Sequence, residues 1–206
     1  MSRIRRFDLP KVLKIAIIAV LFLILILAGI YFGWQAFEHS RYEFRLAAHP
    51  LLYSEYVEKY SAEYDMDKYM LYAVIKTESG FDPNAVSNIG ARGLMQLTEE
   101  TFDWVKFRLG DGDEVTYEDM FDPESNIRYG AYLFDYLTGY FGCTDTAAAA
   151  YFSGIGEVGK WVSDKKYSKD GVHLDNIPSK NAAHYVSKIN NAYNTYIELY
   201  VNERKN

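Results

Sequence analysis

The chain has 206 residues and a formal net charge of −6, and removing the first fifty or so leaves enough for one compact domain with its own core. A balance of 22 Lys+Arg against 28 Asp+Glu argues against nucleic acid as a partner, and the single cysteine, Cys143, excludes any intramolecular disulfide. Four histidines without HExxH or CxxC spacing leave no metal signature, so a metal hydrolase is not expected and no cofactor is called for.

Arg3, Arg5, Arg6, Lys11 and Lys14 crowd the N-terminus with only Asp8 opposing them. From Ile15 to Trp34 runs an uncharged Leu/Ile-rich stretch. As a helix rising about 1.5 Å per residue, it spans about 30 Å, the thickness of a bilayer's hydrocarbon layer. The positive-inside rule then predicts a cytoplasmic basic segment over 1–14, a single transmembrane anchor over 15–34, and an extracytoplasmic remainder. A cleaved signal peptide is the competing reading, but its apolar core would be shorter, and Gly33-Trp34-Gln35-Ala36-Phe37 is a poor cleavage site. No cysteine lies nearby to carry a lipid. Of the net −6, the basic segment contributes an excess of four positive charges, so the part beyond carries about −10, which favours solubility and says nothing of a substrate.

Residues 35–50 read as a short tether that prolongs the helix until Pro50 breaks it. Tyr53, Tyr56, Val57, Tyr60 and Tyr64 recur at helical spacing, and Asp67 is suited to cap the next helix, which Gly80 and Pro83 close. In that helix Leu71, Val74, Ile75 and Glu78 fall at i, i+3, i+4 and i+7, which places Glu78 on the buried stripe. An apolar setting penalises the charged form of a carboxyl and raises its pKa, so Glu78 is a candidate general acid in a cleft. The bland alternative is a side chain that reaches past the core edge to water, or that pairs with Lys76 or Arg92.

Thr98 can cap a helix with Glu99 and Glu100 in its first turn, running to Leu109 and ended by Gly110-Asp111-Gly112-Asp113. Asp122-Pro123-Glu124 opens another through Ile127, Ala131, Phe134 and Leu137. Asp145 to Phe152 reads as an Ala-rich helix broken by Gly154-Ile155-Gly156, and Ala182 to Val201 as the last helix. No segment shows a strand pattern, so the domain is expected to be mainly α. Most of the nineteen tyrosines sit on core stripes, so packing accounts for the majority of them.

The run Glu78-Ser79-Gly80-Phe81-Asp82-Pro83-Asn84-Ala85, then Ser87, then Gly90-Ala91-Arg92-Gly93-Leu94-Met95-Gln96-Leu97, resembles the soluble lytic transglycosylase catalytic domain. Asp122 to Ile127 with Gly130 and Tyr132-Leu133, Ala150-Tyr151 with Gly154, Gly156, Val158 and Trp161, and Ile177-Pro178 with Tyr185-Val186 agree in order. The resemblance covers roughly Leu51 to Tyr200, within a catalytic domain taken as 51–206.

It implies a lysozyme-like, mostly α fold that cleaves the MurNAc to GlcNAc bond of peptidoglycan without metal or cofactor. By position, Glu78 is implied as the sole catalytic acid/base, and Ser87, Met95, Gln96, Tyr151 and Tyr185 as cleft residues that hold the glycan. Glycan strands and the membrane are the partners implied, with the catalytic domain facing the cell wall. Two departures stand out: Phe152-Ser153 where the family carries Asn-Ala, and Asn181-Ala182 where it carries Glu-Thr ahead of Tyr-Val. They give some footing to a glycan-binding or scaffolding protein with decayed activity, while a lysozyme-type hydrolase on the same fold is the alternative among enzymes.

Overall fold

The computed structural model describes residues 10–202, so Arg3, Arg5, Arg6 and Asp8 of the basic segment lie outside the described residues. The chain divides into two units, Met1–Ala48 and His49–Asn206.

Within the first unit a single helix, α1 (Lys11–Ala48), runs 38 residues, roughly 57 Å at 1.5 Å per residue. Its side chains are almost all exposed, including the Leu/Ile-rich stretch, and it is long and apolar enough to cross a membrane. The tether expected over 35–50 is no irregular linker: the helix continues through it to Ala48. Good helix formers fill this stretch, and Arg41 pairs with Glu38 at 3.2 Å one turn away. Pro50 then disfavours helical backbone at His49.

The second unit is mainly helical, with two isolated β-bridges and no strand among the described residues. Its helices are α2 (Ser54–Glu63), α3 (Lys68–Glu78), α4 (Glu99–Leu109), α5 (Pro123–Phe141), α6 (Thr144–Ser153), α7 (Ile155–Ser163) and α8 (Lys180–Ile197). A 3-10 turn, Tyr117–Phe121, precedes α5, and a π turn, Glu198–Asn202, follows α8. The caps read from the sequence form: Asp67 accepts from the Tyr69 N–H, Thr98 from Thr101 and Asp122 from Ser125. Gly110 and Gly142 end α4 and α5 in left-handed backbone.

Helix α3 is deeply buried. Six successive residues from Met70 to Ile75 are buried, so it is covered on every side rather than along one stripe. It packs on α2 and α8, α8 packs on α6, α6 on α5, and α5 back on α2, a closed ring of neighbours. Ala147 to Ala150 are all buried, and their small side chains let the α6 backbone approach both flanking helices. Tyr72, Tyr196 and Tyr200 stack in series, with centroids 5.5 and 6.0 Å apart, and the Tyr196 and Tyr200 hydroxyls donate to the carbonyls of Pro50 and His49. These tyrosines belong to the packing.

Helix α7 departs from expectation. Gly154, at φ 84°, does end α6, but Ile155 begins a new helix at once, and Val158 and Trp161 are buried one turn apart. The last helix begins two residues early, at Lys180, capped by Ser179.

Candidate active site

Glu78 is the last residue of α3. The Ser79 N–H caps the Ile75 and Lys76 carbonyls, while the Ser79 hydroxyl donates to the Leu94 carbonyl at 2.8 Å and accepts from the Phe81 N–H at 3.1 Å. Gly80 and Phe81 both take positive φ, so the chain reverses and lays residues 85–97 back over the helix end. A non-glycine residue in this conformation is uncommon. Phe81 is held there by burial against Tyr72.

That returning loop is braced from α5. Asn126, fully buried, accepts from the Met95 N–H at 2.7 Å and donates to the carbonyls of Arg92 at 3.0 Å and Met120 at 2.8 Å. Gly93 is obligatory: it sits at φ 75°, and a Cβ would overlap the Met120 carbonyl oxygen and the Asn126 amide. Gly130 leaves the space that the Met95 side chain fills. Arg92 lies over the Tyr117 ring at 4.1 Å and pairs with Glu118 at 2.8 Å, so it is engaged away from Glu78.

The Tyr185 hydroxyl, from α8, donates to Glu78 Oε1. Burial pushes the Glu78 carboxyl up to about 7 against the opposing pull of that hydrogen bond. Tyr151 and Tyr185 are themselves driven well above the ordinary phenol value, by burial and then by Glu78, and remain neutral donors.

Two hollows open on Glu78. One, of about 260 Å³, is lined by Ser87, Gln96, Thr98, Thr101, Tyr151 and Phe152, among others. The other, of about 320 Å³, is lined by Thr77, Phe152, Asn181, His184, Tyr185 and Lys188. Neither carries a second carboxylate beside Glu78; Glu100 lines a further hollow beyond Tyr151, with Trp104 and Ile155. A further hollow, of about 520 Å³, is walled by Asp65, Asp67, Asp135 and Asp145, and includes none of the candidate catalytic or glycan-binding residues.

The structure thus brings Glu78, Ser87, Gln96 and Tyr151 together in one hollow and Glu78 and Tyr185 in the other. The Ser87 hydroxyl accepts from the Ala91 N–H, and the Gln96 amide, in left-handed backbone at φ 51°, donates to the Ala85 and Gly93 carbonyls. Met95 is placed differently from the expectation of a cleft side chain. It is fully buried, and only its carbonyl reaches the site, accepting from the Tyr151 hydroxyl at 2.8 Å. Sequence reasoning missed the bracing role of Asn126 and the position of Phe152 between the hollows. A polar residue on the buried face of α5, beside Ile127, was the available signal for the first.

The family described as transglycosylase SLT domain matches residues 55–173. A membrane-bound lytic murein transglycosylase C from Serratia proteamaculans is 32% identical over 165 residues, covering 70% of this chain and 46% of that protein. A soluble lytic murein transglycosylase from Salmonella typhimurium is 27% identical over 158 residues, covering 76% of this chain and 24% of that protein. The chain therefore spans less than half the length of these curated relatives. Among solved structures, the 70-kDa soluble lytic transglycosylase from Escherichia coli superposes with a TM-score of 0.67 at 22% identity, over 75% of this chain and 25% of that one. An inactive mutant of the lytic transglycosylase Slt from Pseudomonas aeruginosa gives 0.63 at 22% identity, over 73% and 24%. The helical fold around Glu78 is shared with both.

Proposed function

Because the chain belongs to the transglycosylase SLT domain family, we propose that it is a peptidoglycan lytic transglycosylase, with Glu78 as the sole general acid and base. It would cleave the MurNAc to GlcNAc bond without water and leave 1,6-anhydroMurNAc ends. The observation that carries this reading is a carboxyl held at about 7 by burial, at the meeting of two hollows.

Neutral Glu78 donates its proton to the glycosidic oxygen as the bond breaks through an oxocarbenium-like state. The carboxylate left behind takes the proton from the C6 hydroxyl of the same MurNAc, whose oxygen closes on C1. Glu78 is thereby protonated again, and one group serves both steps. A neutral Tyr185 hydroxyl on Oε1 stabilises the intervening carboxylate and fixes its orientation. A two-carboxylate hydrolase would need a second acid to activate water, and the hollows beside Glu78 supply none.

Ser87, Gln96, Tyr151 and Tyr185 are assigned to hold the glycan, with Met95 acting through its carbonyl on Tyr151. Helix α1 is read as a single-pass anchor that crosses the membrane over 15–34, with residues 1–14 in the cytoplasm and 51–206 facing the cell wall; the membrane-bound relative and the apolar length of α1 support this.

The test is product analysis. Purified sacculi digested with the full chain should release fragments ending in anhydro sugars, and Glu78→Gln should release none. Reducing ends in their place would make the protein a hydrolase.

A further inference from the structure

Phe152 sits in the last turn of α6, directly after Tyr151, and is 48% exposed. Its ring packs on Tyr185 with centroids 4.9 Å apart and planes inclined 32°. The same side chain lines both hollows that open on Glu78. A single ring therefore stands on the ridge between the hollows, against the phenol that donates to the carboxyl. A Phe that leaves half its surface in water gains only part of the roughly 1.5–3 kcal/mol of full burial, so core packing is an incomplete account of it.

The geometry points to Phe152 as a positioning residue for Glu78: seated on the Tyr185 ring where the two hollows meet, it keeps solvent from entering between them and reaching the carboxyl. The inference rests on the reading of Glu78 as the general acid. The groups that face Glu78 can be named element by element. From α8 come Tyr185, His184 and Lys188; from α6, Tyr151 and Phe152 itself. From α4 comes Thr101, from the returning loop the neutral Ser87, Asn88 and Gln96, and from α3 its own Thr77. His184 and Lys188 favour the carboxylate when charged, so neither accounts for a raised proton affinity. Exclusion of water does, and Phe152 is the aromatic ring at the point where both openings meet.

The experiment reads the carboxyl directly. Full chain carrying 13C-labelled glutamate is titrated by NMR in detergent, with the Glu78 resonance identified by its loss in Glu78→Gln. Phe152→Ala should lower the Glu78 midpoint by about one pH unit, and the alkaline limb of kcat/KM on soluble glycan fragments should fall with it. Phe152→Leu, which keeps bulk but loses the flat ring, should give a smaller downward shift, and Phe152→Tyr should restore the parent profile. A midpoint unchanged in whichever of the Ala and Leu variants folds, or lowered as much by Tyr as by Ala, overturns the inference. Retained product formation by Glu78→Gln would instead overturn the acid assignment, and the titration of Phe152→Ala would still be readable.

Discussion

The hydroxyl of Tyr185 donates to the carboxyl of Glu78 across a separation of 107 residues, joining the C-terminal end of α3 to the first turns of α8. Burial raises the carboxyl and this hydrogen bond lowers it, and burial prevails. The site is thus a balance between two opposed effects, each assignable to named residues, and each can be shifted separately.

Replacing Glu78 by Gln keeps the shape and an oxygen for Tyr185 while removing the ionisable proton. The Glu78 carboxyl is raised from an ordinary 4.5 to about 7 on folding. The stability linked to its neutral form is therefore fully present below about 4.5, declines between, and is lost once the pH passes about 7. At about 1.4 kcal/mol for each pH unit in that window, the ionised carboxyl costs the fold roughly 3 kcal/mol. Glu78→Gln should melt several degrees above the parent at pH 8 and no higher at pH 4, with no activity at either. Calorimetry at the two pH values decides it, and a variant that melts lower at pH 8 contradicts the desolvated acid.

Tyr185→Phe removes the one hydrogen bond that favours the charged form of Glu78. The carboxyl should rise further, carrying the alkaline limb of the pH–rate profile upward, while the maximal rate falls about tenfold or more for want of a group steadying the carboxylate. A profile that stays in place would deny the hydroxyl any electrostatic role.

Asn126→Ala should leave a buried N–H of Met95 and the carbonyls of Arg92 and Met120 without their partner. The expected loss is about 3 kcal/mol or more, measured as a lowered denaturant midpoint. Substrate affinity should suffer in the remaining folded fraction, since Tyr151 is tied to Met95 in the same loop.

Residues 49–206 expressed alone should form a soluble monomer that melts cooperatively, as a unit with its own core. Starting instead at Leu51 removes the carbonyls that accept from Tyr196 and Tyr200, and should cost about 1 kcal/mol for each. Equal melting temperatures for the two fragments would show those bonds to be replaced by water without loss.

Much of this was legible from local pattern. The Asp67, Thr98 and Asp122 caps follow from residue chemistry within one turn, and the face of Glu78 follows from a period of 3.6. Helix α7 was hidden because two glycines in three residues read as a break. Gly154 does end α6, but Gly156 inside α7 costs that helix only about 1 kcal/mol, and buried Val158 and Trp161 outweigh it. Met95 misled for another reason: its place in a motif says nothing of the missing side chain at Gly130 that admits it to the core. The bonds from Asn126 to Met95 and Arg92, and the contact of Phe152 with Tyr185, join residues 31 to 34 apart in sequence. No periodicity reaches that far.

The placement of Tyr185 on α8 also sets an order of events as the chain folds. Helices α2 and α3 leave the ribosome roughly a hundred residues before α8 does, so Glu78 first exists as an ordinary carboxyl open to water, ionised at neutral pH. Only when the final helix docks against α3 does the carboxyl gain its phenol partner and the α8 wall of its second hollow. On the proposed reading of Glu78 as the general acid, a chain truncated before α8 lacks the phenol that steadies its carboxylate, and the site is completed in the same step that completes the core.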